Sequence, residues 1–168
     1  MYVGKLYGRV VIKREEQCGF RQGRACMDQV FAVRQVCKKY LANWKDVFWA
    51  FMDLEKSYDT IDRHCMWQML SVYGFGLKLL KVQSLYIDSW TCVRVGNDVS
   101  RWFSVNVGLG QGCVMSPWLF NVYMDSVVRE VNVGSLRKRL ELLSANGGRF
   151  EINQLLFAYD TARVADSD

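Results

Sequence analysis

The chain of 168 residues, 51% of them hydrophobic, has material for one sizeable core and is short for two. Its 22 Lys and Arg outweigh 17 Asp and Glu to give a formal charge of +5, which assists approach to a polyanion without establishing nucleic-acid binding. The longest apolar run, Val47 to Met52, falls far short of the roughly 18 to 20 residues that cross a bilayer, and Met1 to Arg9 lack the apolar centre of an export signal.

An intracellular location with no transmembrane segment and no membrane partner is therefore expected. Six cysteines (Cys18, Cys26, Cys37, Cys65, Cys92, Cys113) include no pair at C-x-x-C spacing, and His64 is the only histidine. That spacing speaks against a structural zinc site, and the apolar content makes disulfides unnecessary; buried free thiols are expected.

After an irregular, glycine-bearing start, apolar residues at three- and four-residue intervals from Met27 to Leu41 predict an amphipathic helix over Cys26 to Leu41. Val47 to Asp53 reads as a short strand, apolar on both faces and ending on an acid, which belongs inside a sheet covered by helices. Asp62 is placed to cap a helix to about Val72 that Gly74 ends, and a second helix, about Leu77 to Asp88, follows Gly76. Thr91 to Val95 and Arg101 to Val107 flank Gly96-Asn97-Asp98 and predict a β-hairpin. The glycine-rich stretch Gly108 to Gly112 leads to Ser116-Pro117, a helix start for a segment reaching about Val131. A basic stretch around Arg137 to Arg139 precedes a second hairpin, Phe150 to Ala165, with Asp160 near its tip. Helices around a small, largely antiparallel sheet, without repeats or an evident linker, make an α+β domain.

Two acids stand at strand ends far apart in sequence, Asp53 and Asp160. Carboxylates exposed at the ends of buried strands are rigidly placed to hold a hard cation against phosphate oxygens. The blander alternative stays open: Asp53 or Asp59 caps a helix or turn, and Asp160 fills a β-turn. Gly108 to Gly112 is no Walker loop, because no Gly-Lys-Ser/Thr ends it, and by itself it says little.

Taken together and in order, four segments carry more. Phe51-Met52-Asp53-Leu54-Glu55-Lys56-Ser57-Tyr58-Asp59 resembles motif A of reverse transcriptases. Gly108-Leu109-Gly110-Gln111-Gly112-Cys113-Val114-Met115-Ser116-Pro117-Trp118-Leu119-Phe120-Asn121 resembles motif B, and Leu156-Phe157-Ala158-Tyr159-Asp160-Thr161-Ala162 resembles motif C. Upstream, Cys18-Gly19-Phe20-Arg21-Gln22-Gly23-Arg24-Ala25-Cys26 resembles the fingers motif shared by non-LTR retrotransposons and group II intron enzymes.

The resemblance implies a fingers-and-palm fold, with about residues 1–45 in the fingers and about 46–168 in the palm. It implies RNA-directed DNA polymerisation on an RNA template from a DNA primer with dNTP, through two Mg²⁺ (or Mn²⁺) ions held by Asp53 and the motif C acids. By the same resemblance Tyr58 is a steric gate against the 2′-OH, the Lys56 and Ser57 backbone bears on the triphosphate, Gln111 and Gly112 sit by the nascent base pair, and Arg21 and Arg24 contact template.

Two departures stand out. Tyr159 occupies the place of the first motif C aspartate, and a phenol brings no charge to neutralise a divalent cation at pH 7. Gly110 stands where arginine or proline is usual, which is expected to loosen the loop. The chain also stops at Asp168, just past motif C, so the primer grip and thumb are expected to be missing and the chain is expected to be catalytically dead, with a non-catalytic nucleic-acid- or partner-binding remnant as the alternative.

Overall fold

A computed structural model of the chain describes residues 16–133, 140–143, 149–152 and 154–166. The glycine-bearing start before residue 16 and the basic stretch Arg137 to Arg139 lie outside the described residues. The described residues divide into two compact units, one formed by 56–123 and the other by 16–55 together with 124–166.

The second unit is organised by a sheet. Strand β1 (Val47–Met52) pairs antiparallel with β9 (Asp160–Asp166), which pairs antiparallel with β8 (Gln154–Phe157), giving the order β1-β9-β8. Beyond β8, Gln17 makes a parallel bridge to Leu156: the Leu156 N–H donates to the Glu16 carbonyl at 2.8 Å and the Cys18 N–H to the Leu156 carbonyl at 2.9 Å. Helix α1 (Cys26–Ala42) covers the sheet with Val36, which packs in a core with Val164, flanked by Tyr40, Val47 and Trp49. A further antiparallel pair joins β6 (Leu140–Leu143) to β7 (Arg149–Ile152), so Phe150 to Ile152 belong to β7 and the hairpin at Asp160 begins at Gln154.

β1 departs from the expected buried strand. It lies at the edge of its sheet, and Phe48, Phe51 and Met52 are exposed, because among the described residues α1 supplies cover around Val47 and Trp49 only. Phe51 nonetheless stacks on Trp49 with centroids 6.1 Å apart. On α1 the apolar periodicity likewise exceeds the cover, since Met27, Val30, Phe31 and Leu41 are all exposed.

In the first unit, α2 (Arg63–Val72) starts where the sequence predicts: the Asp62 carboxylate accepts the Cys65 N–H at 3.1 Å. Met66 and Leu70, one turn apart, are its buried face, and Gly74 leaves the helix at φ +80°. Helix α3 (Gly76–Gln83) is shorter than its apolar pattern, giving way to turns that include Asp88 at φ +51°. The predicted hairpin is present as two short ladders, β2 (Trp90–Thr91) with β5 (Phe103–Ser104) and β3 (Arg94–Val95) with β4 (Asp98–Val99), closed by Gly96 and Asn97 alone. Helix α4 spans Ser116–Val133 and buries Leu119, Phe120 and Val122 in its first turns.

All six cysteines are free, but only Cys18 is buried; Cys26 is exposed and the other four are half-buried. The expectation of buried thiols thus holds for Cys18 alone. No described helix is long and apolar enough to cross a membrane.

Candidate functional site

In the second unit, the β1–β9 register runs from Val47↔Asp166 to Met52↔Thr161. Continuing it by one residue sets Asp53, which follows Met52, opposite Asp160. The strands that carry the two acids are therefore neighbours, and both acids are exposed. Phe157 pairs with Asp160, so Ala158 and Tyr159 form a two-residue turn at the tip of the β8–β9 hairpin. Tyr159 is 38% exposed at that tip. Among the described residues, no three His, Cys, Asp or Glu side chains gather as a metal-holding group.

The segment before α1 backs this turn. Gln17 is buried and its side-chain amide meets the backbone of both Ala158 and Gly19. Gln29 on α1, also buried, donates to the carbonyls of Glu16 and Leu156 at 2.9 and 3.1 Å, tying the helix to the same junction. Burial, followed by the negative charge of Asp28, pushes the Cys18 thiol above the ordinary cysteine range. Arg21, half-buried, donates to the Gln17 carbonyl at 2.9 Å, while the Arg24 side chain is exposed.

In the first unit, the residues after Asp53 wind into a tight turn. Lys56 has φ +51°, and its carbonyl accepts from the Asp59 N–H at 2.9 Å, the Thr60 N–H at 3.1 Å and the Thr60 hydroxyl at 3.1 Å. The half-buried Tyr58 ring lies parallel to the buried Phe120 ring, centroids 4.6 Å apart and planes within 6°. This turn and the glycine loop are joined. The Leu109 N–H donates to the Tyr58 carbonyl at 2.8 Å, the Gly108 N–H to the Ile61 carbonyl at 2.9 Å, and Gln111 Nε2 to the Asp59 carboxylate at 3.1 Å. Gly108 has φ +77°, and a Cβ there would stand 2.7 Å from the Asp59 carbonyl oxygen, so both conformation and space require glycine.

Arg63, the first residue of α2, holds the far side of the loop. Its guanidinium donates to the carbonyls of Gly108 at 2.8 Å, Val105 at 2.6 Å and Tyr86 at 3.2 Å, and lies 5.0 Å above the Tyr86 ring. Burial pulls its pKa below the ordinary arginine value. The buried Ser116 hydroxyl donates to the Gly110 carbonyl at 2.7 Å, which the Cys113 N–H also reaches at 3.3 Å. Gly110 was expected to loosen the loop; instead its carbonyl is doubly held, and a Cβ on it would meet only Cys113 Cβ at 3.7 Å. Burial alone would raise the Cys113 thiol, but hydrogen bonds from the Met115 and Ser116 backbone and from the Ser116 and Tyr86 hydroxyls bring it below the ordinary range.

Thus Tyr58, Gln111 and the glycine loop form one hydrogen-bonded cluster in the first unit, and Asp53 and Asp160 share one end of the sheet in the second. Sequence reasoning missed Gln17, Gln29 and Arg63. None repeats at a telling interval, and a lone polar residue gives no sign that it will be buried against distant backbone.

A model of the family described as reverse transcriptase (RNA-dependent DNA polymerase) matches residues 2–167. The chain is 28% identical over 126 residues to a "Retrovirus-related Pol polyprotein from type-1 retrotransposable element R2" of Nasonia vitripennis, covering 73% of this chain and 11% of that protein. It is 25% identical over 143 residues to the corresponding type-2 R2DM polyprotein of Drosophila melanogaster, 84% of this chain and 13% of the relative. A "Transposon TX1 uncharacterized 149 kDa protein" of Xenopus laevis is 23% identical over 144 residues, 85% of this chain and 11% of the relative. The chain therefore spans only about a tenth of the length of these relatives. By this match, and by motifs carried on one sheet end and one glycine loop, the chain belongs to the reverse transcriptase (RNA-dependent DNA polymerase) family, as a domain of the kind found in non-LTR retrotransposable elements.

Proposed function

We propose that this domain descends from an RNA-directed DNA polymerase working by two-metal nucleotidyl transfer, with β1, β9 and β8 as its palm sheet, and that it does not extend primers as written. The observation that carries this reading is the hairpin tip: the register leads Asp53 and Asp160 to one end of the sheet, and the residue before Asp160 is Tyr159. Hard divalent cations take about six oxygen ligands each and favour sites rich in carboxylate. Two carboxylates beside a phenol do not fit a pair of such ions.

The nucleotide side is better kept. A steric gate needs a ring that does not swing, and the parallel stack of Tyr58 on buried Phe120 supplies that restraint. Gln111, tied to Asp59, and Gly112, which leaves the loop at φ +80°, belong to a framework suited to a base pair and a triphosphate, with the Lys56–Ser57 turn beside it in sequence. RNA template, DNA primer and dNTP are the partners this reading implies, with Arg21 and Arg24 the arginines it assigns to template. Primer extension on a primed RNA template with Mg²⁺ or Mn²⁺ tests the reading: no product is expected, and robust extension by the unaltered chain overturns it. Tyr159→Asp is expected to raise Mn²⁺-dependent thermal stabilisation, and no gain would remove Tyr159 from the metal side.

A second reading, a non-catalytic nucleic-acid-binding remnant, is favoured by the hairpin of the first unit. Trp90 and Trp102 are 60% and 65% exposed there, and Arg94 and Arg101 are exposed on the same short segment. Exposed aromatics interleaved with arginines suit stacked bases and a phosphate backbone. Salt-dependent binding of single-stranded RNA, weakened by Trp90→Ala and Trp102→Ala, is its signature.

A further inference from the structure

The turn that carries Tyr159 rests on an unfavourable backbone. Ala158 has φ +56°, a left-handed conformation in which an L side chain crowds the following carbonyl oxygen. One side chain clasps that residue at both polar groups. Gln17 Oε1 accepts the Ala158 N–H at 3.1 Å, and Gln17 Nε2 donates to the Ala158 carbonyl at 3.3 Å. The amide is itself fixed: Gln17 is 5% exposed, its Oε1 also accepts the Gly19 N–H at 2.7 Å, and its backbone bridges Leu156 on β8. Gly19 makes the approach possible, because a Cβ there would stand 2.1 Å from the Ala158 nitrogen. An uncharged side chain ending in both an acceptor and a donor is what this geometry asks for, and glutamine is such a side chain.

We propose that Gln17 is the positioning residue of the β8–β9 turn, holding Ala158 left-handed so that Asp160 enters β9 at the register that sets it opposite Asp53. Its functional meaning rests on the metal-side reading above; the clasp itself does not. The strand-like segment at residues 16–18 runs beside β8, and from there the Gln17 amide faces both polar groups of Ala158.

Amide hydrogen exchange on the full chain tests the clasp. Gln17→Met keeps the length and apolar volume but removes the strong acceptor and the donor, whereas Gln17→Glu keeps an acceptor for the two N–H groups. In Gln17→Met, the Ala158 and Gly19 amides are expected to exchange roughly tenfold or more faster, with the β1–β9 ladder amides unchanged. Gln17→Glu is expected to retain most of the protection at both. Unchanged exchange at Ala158 in Gln17→Met, or equal loss in both variants, overturns the clasp. Should Gln17→Met fail to fold, Gln17→Asn, whose amide ends one methylene short of Ala158, replaces it: faster Ala158 exchange supports the proposal and unchanged exchange overturns it. For the positioning role, Gln17→Glu is placed in a Tyr159→Asp background and Mn²⁺ affinity measured. A loss of about tenfold, as when the support of a ligating carboxylate is disturbed, is expected from losing the donor to the Ala158 carbonyl. Undiminished affinity overturns that role. A Tyr159→Asp chain that takes up no Mn²⁺ sinks the metal-side reading instead, and the exchange arm still decides the clasp.

Discussion

The two motif-bearing turns are held in opposite ways. In the first unit, the Gly108–Gly112 loop supplies its own glycine at the point of closest approach, Gly108 against Asp59, and its carbonyls are gathered by the charged Arg63 and the hydroxyl of Ser116. In the second, the turn residue at the close approach is an alanine in a left-handed conformation, and the glycine that makes room, Gly19, lies in the segment that buttresses it. The first turn has its conformational freedom built in; the second is kept in shape by distant residues. A glycine pattern within the loop signals the first kind, and nothing within the hairpin signals the second.

The sharpest break of this comparison is a methyl group added on each side. Gly19→Ala forces a Cβ to within 2.1 Å of the Ala158 nitrogen, where only backbone movement relieves it. Overpacking against backbone is expected to cost about 3 kcal/mol, read as a fall in the denaturation midpoint. Gly108→Ala adds a left-handed penalty to a less severe contact, 2.7 Å from the Asp59 carbonyl oxygen, and about 2 kcal/mol is expected. If Gly19→Ala is neutral, the buttress does not hold the hairpin.

Arg63→Met comes next. It deprives three carbonyls of a shared donor at a partly buried position, where water replaces some of what is lost, so about 1 to 2 kcal/mol is expected. Arg63→Lys is expected to recover less than half, because one ammonium cannot span three divergent acceptors as a planar guanidinium does. Full recovery in Arg63→Lys, measured by thermal unfolding, would show that charge alone matters and that the loop is not held by geometry.

What was legible in the sequence follows from the range of each signal. The Asp62 start of α2, its end at Gly74, the hairpin at Gly96-Asn97 and the Ser116 start of α4 are written in adjacent residues, and all are present, although the turn is one residue shorter than expected because Asp98 pairs with Val95. The neighbouring strands at Asp53 and Asp160 came from motif resemblance, since no local pattern tells which strands pair. Burial was overestimated on β1 and α1 because periodicity reports which residues share a face and not whether anything covers that face. Gln17, whose amide meets a backbone 141 residues away, had no local signature at all.

The smallest expected effect concerns Asp62, which sets the first turn of α2 and so the position from which Arg63 reaches the loop. Its carboxyl is held below the ordinary aspartate value, first by the hydrogen bond from the Cys65 backbone N–H. A carboxyl depressed in the folded state binds its proton more readily when unfolded, so its contribution is complete above the ordinary aspartate value. That contribution is lost as the pH falls through the lower folded value. Asp62→Asn keeps an oxygen for the Cys65 N–H but cannot titrate, so its thermal midpoint should be slightly lower at neutral pH and should converge on that of the unaltered chain in acid. Asp62→Ala loses the acceptor as well and should lie below both at neutral pH. A gap between Asp62→Asn and the unaltered chain that persists or widens on acidification would show that the carboxylate charge contributes nothing through this cap.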